Sequence, residues 1–125
     1  MSHVFFVALG GALGASARYY VGVAALRFFG PGFPYGTLIV NVLGSFAMGL
    51  LIAFLAKRSG TAAEWRVFLA TGVLGGFTTF SAFSLDAVEL WERGALGSAG
   101  LYIAGSVALS ILALMAGLML VRAAH

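Results

Sequence analysis

Charge is almost absent from long stretches of this chain and gathers in the short intervals between them. Residues 4–26, 37–56, 67–85 and 95–121 hold a single charged side chain among them, Arg18. Each run reaches the ~20 residues that cross ~30 Å of hydrocarbon, the third once a few residues beyond its uncharged part are added. The pattern predicts an all-α integral membrane protein. Its four transmembrane helices lie over about residues 4–27, 36–56, 65–92 and 96–121, in one domain with no room for a soluble unit. The first run is too long, and too rich in glycine and aromatics, to be a secretory signal, and it lacks a basic flank.

The third run does not read as an uninterrupted helix. Gly72-Val-Leu-Gly-Gly-Phe-Thr-Thr-Phe-Ser-Ala-Phe83 places a glycine pair directly before three hydroxyl residues, Thr78, Thr79 and Ser81. A break is expected near residues 75–79. An unpaired backbone group in hydrocarbon costs several kcal/mol, so irregular backbone at membrane depth is tolerated where it is buried in protein or lines a polar cavity. That directs attention to this segment for transport. The other glycines have a plainer role: Gly10/Gly14, Gly72/Gly76 and Ser45/Gly49 are small-xxx-small pairs that let helix backbones approach.

Composition narrows the function classes. Of 125 residues 62% are hydrophobic and 9% charged, against about a quarter charged in a soluble domain. The absence of cysteine excludes disulfides and thiolate metal sites. A net charge of +3, thinly spread, gives no footprint for nucleic acid. His3 and His125 stand at opposite chain ends and make no metal or catalytic constellation, and no nucleophile–base pair can be assembled, which argues against an enzyme.

Four spans place both termini on one side together with Lys57, Arg58, Arg66 and Arg122, leaving Arg27 and Arg93 on the other. This is a weak bias under the positive-inside rule. It suits either a single poorly signalled orientation or a chain that inserts both ways and pairs antiparallel with itself. A four-helix chain this small hardly encloses a pathway alone, so a homodimer is expected.

Polar residues recur at several depths from the Arg27 and Arg93 side. At 1.5 Å of rise per residue, Asn41 and Tyr102 fall at roughly 8 Å, Ser106 and Phe83 at ~14–15 Å, and Ser110 and Phe80 at ~20 Å. Tyr102, Ser106 and Ser110 follow i, i+4, i+8 spacing and share one helix face. Their hydroxyls either face a permeating ion or bond back to the preceding turn. Asn41 is either a pore donor or a helix-packing hydrogen bonder. Phe77, Phe80 and Phe83 follow i, i+3, i+6 spacing. They either pack and face lipid, or turn positive ring edges toward an anion. Arg18 lies some 13 Å from the Arg27 end. It either lines an anion-attracting vestibule, moderated by Asp86 or Glu89 at similar depth, or forms a structural ion pair. Glu89 and Arg93 are spaced as an ordinary surface pair.

Three segments carry a resemblance. Gly10-Gly-Ala-Leu-Gly-Ala-Ser-Ala-Arg-Tyr19, Gly36-Thr-Leu-Ile-Val-Asn-Val-Leu-Gly-Ser-Phe46 and Gly72 to Phe83 resemble the signature segments of the Fluc (CrcB) fluoride channels, in the right order and spacing through all four spans. Ala82 departs from the family, which often has threonine there. The resemblance implies an antiparallel, dual-topology homodimer in the cell (inner) membrane. Two pores per dimer would conduct fluoride passively and let it leave the cytoplasm, where it inhibits phosphoryl-transfer enzymes. By position, Phe80 and Phe83 match the pore phenylalanines, Asn41 the pore asparagine, and Tyr102, Ser106 and Ser110 the polar track of the fourth span. Gly75 and Thr78 match the residues whose backbone carbonyls, from both subunits, hold a structural sodium ion. Arg18 matches the signature arginine near the vestibule. Thr79 and Ser81 belong to the same motif, and Phe77 sits beside it without a settled role.

Two other classes share parts of this pattern. A small multidrug antiporter also has four short spans, but its proton coupling needs a carboxylate deep in the first span, where this chain has Arg18. A non-transporting scaffold subunit of a larger membrane complex is the other.

Overall fold

A computed structural model describes residues 2–58 and 63–124; His125 lies outside them. All the described regular structure is helical. Helix α1 (Ser2–Phe29) and α2 (Tyr35–Ala56) form the first two spans. The third is assembled from α3 (Ala63–Arg66), a π-helical stretch (Val67–Leu74), α4 (Gly75–Phe77) and α5 (Phe80–Glu92). Helix α6 (Leu96–Ala123) is the fourth. The four helical spans, of 27, 22, 30 and 28 residues, are each long and apolar enough to cross a membrane. The chain is a multi-pass membrane protein.

The connections at one end are set by glycine. Gly30, at φ +79°, closes α1 by donating its N–H to the Leu26 carbonyl (2.9 Å). Gly94, at φ +82°, ends α5 in a Schellman motif. Its N–H reaches the Trp91 carbonyl and that of Ala95 the Leu90 carbonyl, both at 3.0 Å. At the opposite end Lys57 Nζ donates to the Val121 carbonyl at 2.9 Å. The last turns of α2 and α6 therefore lie side by side, and those two spans run in the same direction.

The spans pack in two close pairs, each through missing side chains. In the first and third spans, a Cβ added at Gly10 or Gly14 would strike the backbone of the π-helical stretch. One added at Gly76 would strike the Gly11 backbone. In the second and fourth, Gly49 abuts the Leu114 carbonyl and Gly117 the Phe46 carbonyl. These contacts realise the Gly10/Gly14 and Gly72/Gly76 pairs and the Gly49 member of Ser45/Gly49. Helix α5 closes on α2 and α6 around Phe83, Leu90, Ala99 and Tyr102, the buried core cluster. Much of the remaining apolar surface faces outward, as a chain solvated by lipid requires.

Candidate functional site

The third span breaks at Thr78 and Thr79, both extended (φ −91°, ψ 160° and φ −156°, ψ 126°). Every group this exposes must be satisfied at membrane depth, and named side chains do much of that work. Thr78 Oγ1 donates to the Leu74 carbonyl at 3.0 Å, beside its own N–H at 3.1 Å. Thr79 caps α5, its Oγ1 accepting from the Ala82 N–H at 3.1 Å, with Ser81 Oγ 3.4 Å away. Asn41 bridges from α2: Oδ1 accepts from the Thr79 N–H at 2.8 Å, and Nδ2 donates to the Thr79 carbonyl at 3.0 Å. From α1, Arg18 Nε donates to the Gly76 carbonyl at 3.0 Å. Gly44 gives the Thr78 methyl and the Phe77 ring the space to lie against α2.

A groove of about 420 Å³ runs beside the break. Asn41, Thr79, Phe80, Phe83, Ser106 and Ser110 line it, with apolar residues of α6 along one side. The Phe80 and Phe83 rings stand 5.4 Å apart at 49°. Phe83 is 8% exposed and Phe80 77%, so one ring is fixed in the core while the other projects from the chain. Ser106 is buried, at 5% exposure, and its Oγ has no hydrogen-bond partner among the described residues. It does not bond back to the preceding turn, and it faces the groove unsatisfied. A buried hydroxyl without a partner costs about 1–3 kcal/mol unless something binds it.

Tyr102 behaves differently from the two serines on its face. Its hydroxyl donates to Asp86 Oδ2 at 3.1 Å, and it does not line the groove. Its ring lies between Phe83 (5.2 Å) and Phe33 (5.4 Å, edge-on at 89°). Phe33 and Asp86 in turn line a larger cavity, about 570 Å³, at the Arg93 end. An aromatic chain of Phe33, Tyr102, Phe83 and Phe80 thus connects that cavity to the groove. Phe33 escaped the sequence reading; an aromatic set between two prolines in a five-residue connection was its one signal.

Three expected arrangements are replaced. Asp86 is engaged by Tyr102 and not by Arg18, which binds backbone beside a smaller hollow that also includes Thr37, Thr79 and Ala82. Arg93 donates to the Gly32 carbonyl at 3.1 Å, pinning the first connection, and does not pair with Glu89. Phe77 does not share a face with Phe80 and Phe83, because the extended Thr78 and Thr79 reset the helical phase between them.

The break also takes two carbonyls away from their helical amides. In a continued helix the Thr79 N–H would serve the Gly75 carbonyl, and the Ala82 N–H the Thr78 carbonyl. Both amides are diverted, to Asn41 Oδ1 and Thr79 Oγ1. Neutral backbone oxygen at an unwound membrane helix, the kind of donor that fits a sodium ion, is what this leaves at Gly75 and Thr78. No cluster of three His, Asp or Glu side chains among the described residues offers a metal an alternative.

The family model described as CrcB-like protein, Camphor Resistance (CrcB), matches residues 5–118. The chain is similar to the fluoride-specific ion channel FluC of Agrobacterium fabrum, 57% identical over 122 residues that cover 98% of each chain. It is 59% identical over 122 residues to FluC of Cereibacter sphaeroides, covering 98% of this chain and 96% of that one. To FluC of Rhizobium etli it is 55% identical over 123 residues, covering 98% of both.

Proposed function

The chain belongs to the CrcB family, and on that premise we propose that it is a passive, fluoride-selective ion channel and not an enzyme. The observation that carries the reading is Ser106 Oγ, a buried hydroxyl with no partner among the described residues, turned into a groove beside two phenylalanine rings.

Fluoride is small and tightly hydrated, so a pathway must replace its water with several donors at once. Ser106 and Ser110 each donate an O–H, and Asn41 has a second Nδ2 hydrogen left after serving Thr79. The edges of Phe80 and Phe83 add a weakly positive waist that holds an anion without the trap a full charge would set. Selectivity follows from this balance: chloride gains less from close donors and is too large for a waist of ring edges.

The groove is open on one side, and the 77% exposed Phe80 ring stands at its rim. A second copy of the chain, antiparallel to the first, closes it and yields two pores related by a two-fold axis. The weak charge bias between the two ends suits insertion in both orientations. Gly75 and Thr78 carbonyls from both copies would hold a structural sodium at that axis. The ion supplies a positive charge between the pores and partners for carbonyls the break has freed. In the cell inner membrane the channel would let cytoplasmic fluoride run down its gradient.

The test is efflux from liposomes loaded with fluoride, read with a fluoride electrode, beside a chloride-loaded control. Rapid electrogenic fluoride release with silent chloride, slowed by Phe80→Ile or Phe83→Ile, is expected. Well-folded dimers that release no fluoride would overturn the proposal.

A further inference from the structure

Arg18 is the single charged residue deep in the first span, yet its Nε–H is spent on a neutral acceptor, the Gly76 carbonyl, at 3.0 Å. Charge alone does not explain that choice. Asp86 offers a carboxylate and is taken by Tyr102 instead.

The carbonyls around the break divide into two sets. The Gly76 carbonyl is occupied by Arg18 and the Thr79 carbonyl by Asn41. Those of Gly75 and Thr78 lose their helical amides to other acceptors. Each freed carbonyl directly precedes a held residue along the backbone, Gly75 before Gly76 and Thr78 before Thr79. Asn41 Oδ1 grips the Thr79 N–H, which belongs to the same rigid peptide unit as the Thr78 carbonyl; that carbonyl must therefore point away from α2. Gly75 and Gly76 lie in α4, a single helical turn that ends at the break, and glycine gives that turn little stiffness of its own. The bond from Arg18 holds the peptide following Gly76 and with it keeps this turn helical, the conformation in which the Gly75 carbonyl points toward the break.

We propose that Arg18 is a positioning residue for the cation site, holding the Gly76 carbonyl away so that the Gly75 carbonyl is presented to the ion. This inference rests on the sodium reading above. What matters is a donor at the Nε position and not the positive charge, which by itself would weaken cation binding.

Two substitutions separate those roles. Arg18→Gln places an amide N–H the same number of bonds from Cα as Arg Nε, without charge. Arg18→Met keeps the length of the stem and has no donor. The measurement is the thermal unfolding of the purified full-length protein in detergent, titrated with sodium against N-methylglucamine at constant ionic strength. The readout is the sodium concentration giving half of the protective shift. The wild type is expected to show saturable protection. Arg18→Met is expected to raise the half-point about tenfold, as losing one hydrogen bond that orders a ligand implies. Arg18→Gln should remain within about threefold of wild type.

If Arg18→Met only lowers the unfolding temperature equally at every sodium concentration, Arg18 is merely structural and the proposal fails. If both variants lower the half-point, the charge was what mattered, and the proposal fails. Should Arg18→Met not assemble, Arg18→Gln decides alone: an unchanged half-point supports positioning and a several-fold lower one overturns it. Absence of sodium protection in the wild type would instead remove the sodium reading itself.

Discussion

Asn41 and Thr79 exchange two hydrogen bonds across the broken third span, 2.8 Å into Oδ1 and 3.0 Å from Nδ2, so one side chain satisfies both backbone groups of one residue. The pair joins α2 to the start of α5 and holds Phe80, the next residue, at the groove. Asn41→Leu strands an N–H and a carbonyl in a low-dielectric setting, at about 1–3 kcal/mol each. The expected result is a loss of about 2–6 kcal/mol of stability together with loss of fluoride flux. Asn41→Asp keeps an acceptor for the Thr79 N–H, but its carboxyl donates to the Thr79 carbonyl only when protonated, so thermal unfolding should show it recovering stability toward wild type as pH is lowered.

Ser106 predicts the opposite separation of stability from transport. Its hydroxyl has no partner among the described residues, so removing it relieves a desolvation cost and breaks no hydrogen bond seen there. Ser106→Ala should leave the unfolding temperature unchanged or slightly raised. Fluoride efflux should fall about tenfold, the equivalent of one ion-hydroxyl hydrogen bond of ~1.4 kcal/mol. A variant that lost both together would show that Ser106 holds structure and does not face the ion.

Tyr102 shares the helical face of Ser106 but not its freedom. Its hydroxyl serves Asp86 at 3.1 Å, and its ring is wedged between Phe33 and Phe83. Tyr102→Phe keeps both ring contacts and releases the Asp86 carboxylate into the cavity at the Arg93 end. The added negative potential there should repel anions and slow fluoride flux about two- to fivefold, an effect that fades as ionic strength rises. Flux measured at two salt concentrations distinguishes this from loss of a pore donor, which salt would not restore.

What the sequence discloses and what it hides divide along a physical line. Runs free of charge reveal the spans because hydrocarbon penalises charge whatever the neighbours are. The Gly75-Gly76-Phe-Thr-Thr sequence reveals the break because it is set by local backbone preference. The partners of Arg18 and Tyr102 are hidden, since helical spacing fixes which face a residue occupies and says nothing of what stands opposite. The phenylalanine stripe misleads for a related reason. Spacing of i, i+3, i+6 carries meaning within one helix, and Thr78 and Thr79 interrupt the helix between Phe77 and Phe80. The π-helical stretch over Val67–Leu74 had no local signal at all; there α1 packs backbone to backbone through Gly10 and Gly14.

The second and fourth spans approach each other as closely, and two glycines of the fourth span differ in what they meet there. Gly117 lies against the Phe46 carbonyl and the Leu50 amide of α2, where an added Cβ would overlap backbone atoms that cannot move aside. Gly105 has nothing within 4 Å of the same added atom. Gly117→Ala must push α2 and α6 apart, opening the interface through which Gly49 also meets α6. It should cost on the order of 1–3 kcal/mol, the usual range for overpacking. Gly105→Ala should gain the few tenths to ~1 kcal/mol that alanine holds over glycine within a helix. Unfolding temperatures of the two variants, compared in the same detergent, are expected to move in opposite directions. A Gly117→Ala protein as stable as wild type would show that the second and fourth spans do not meet as closely as this packing requires.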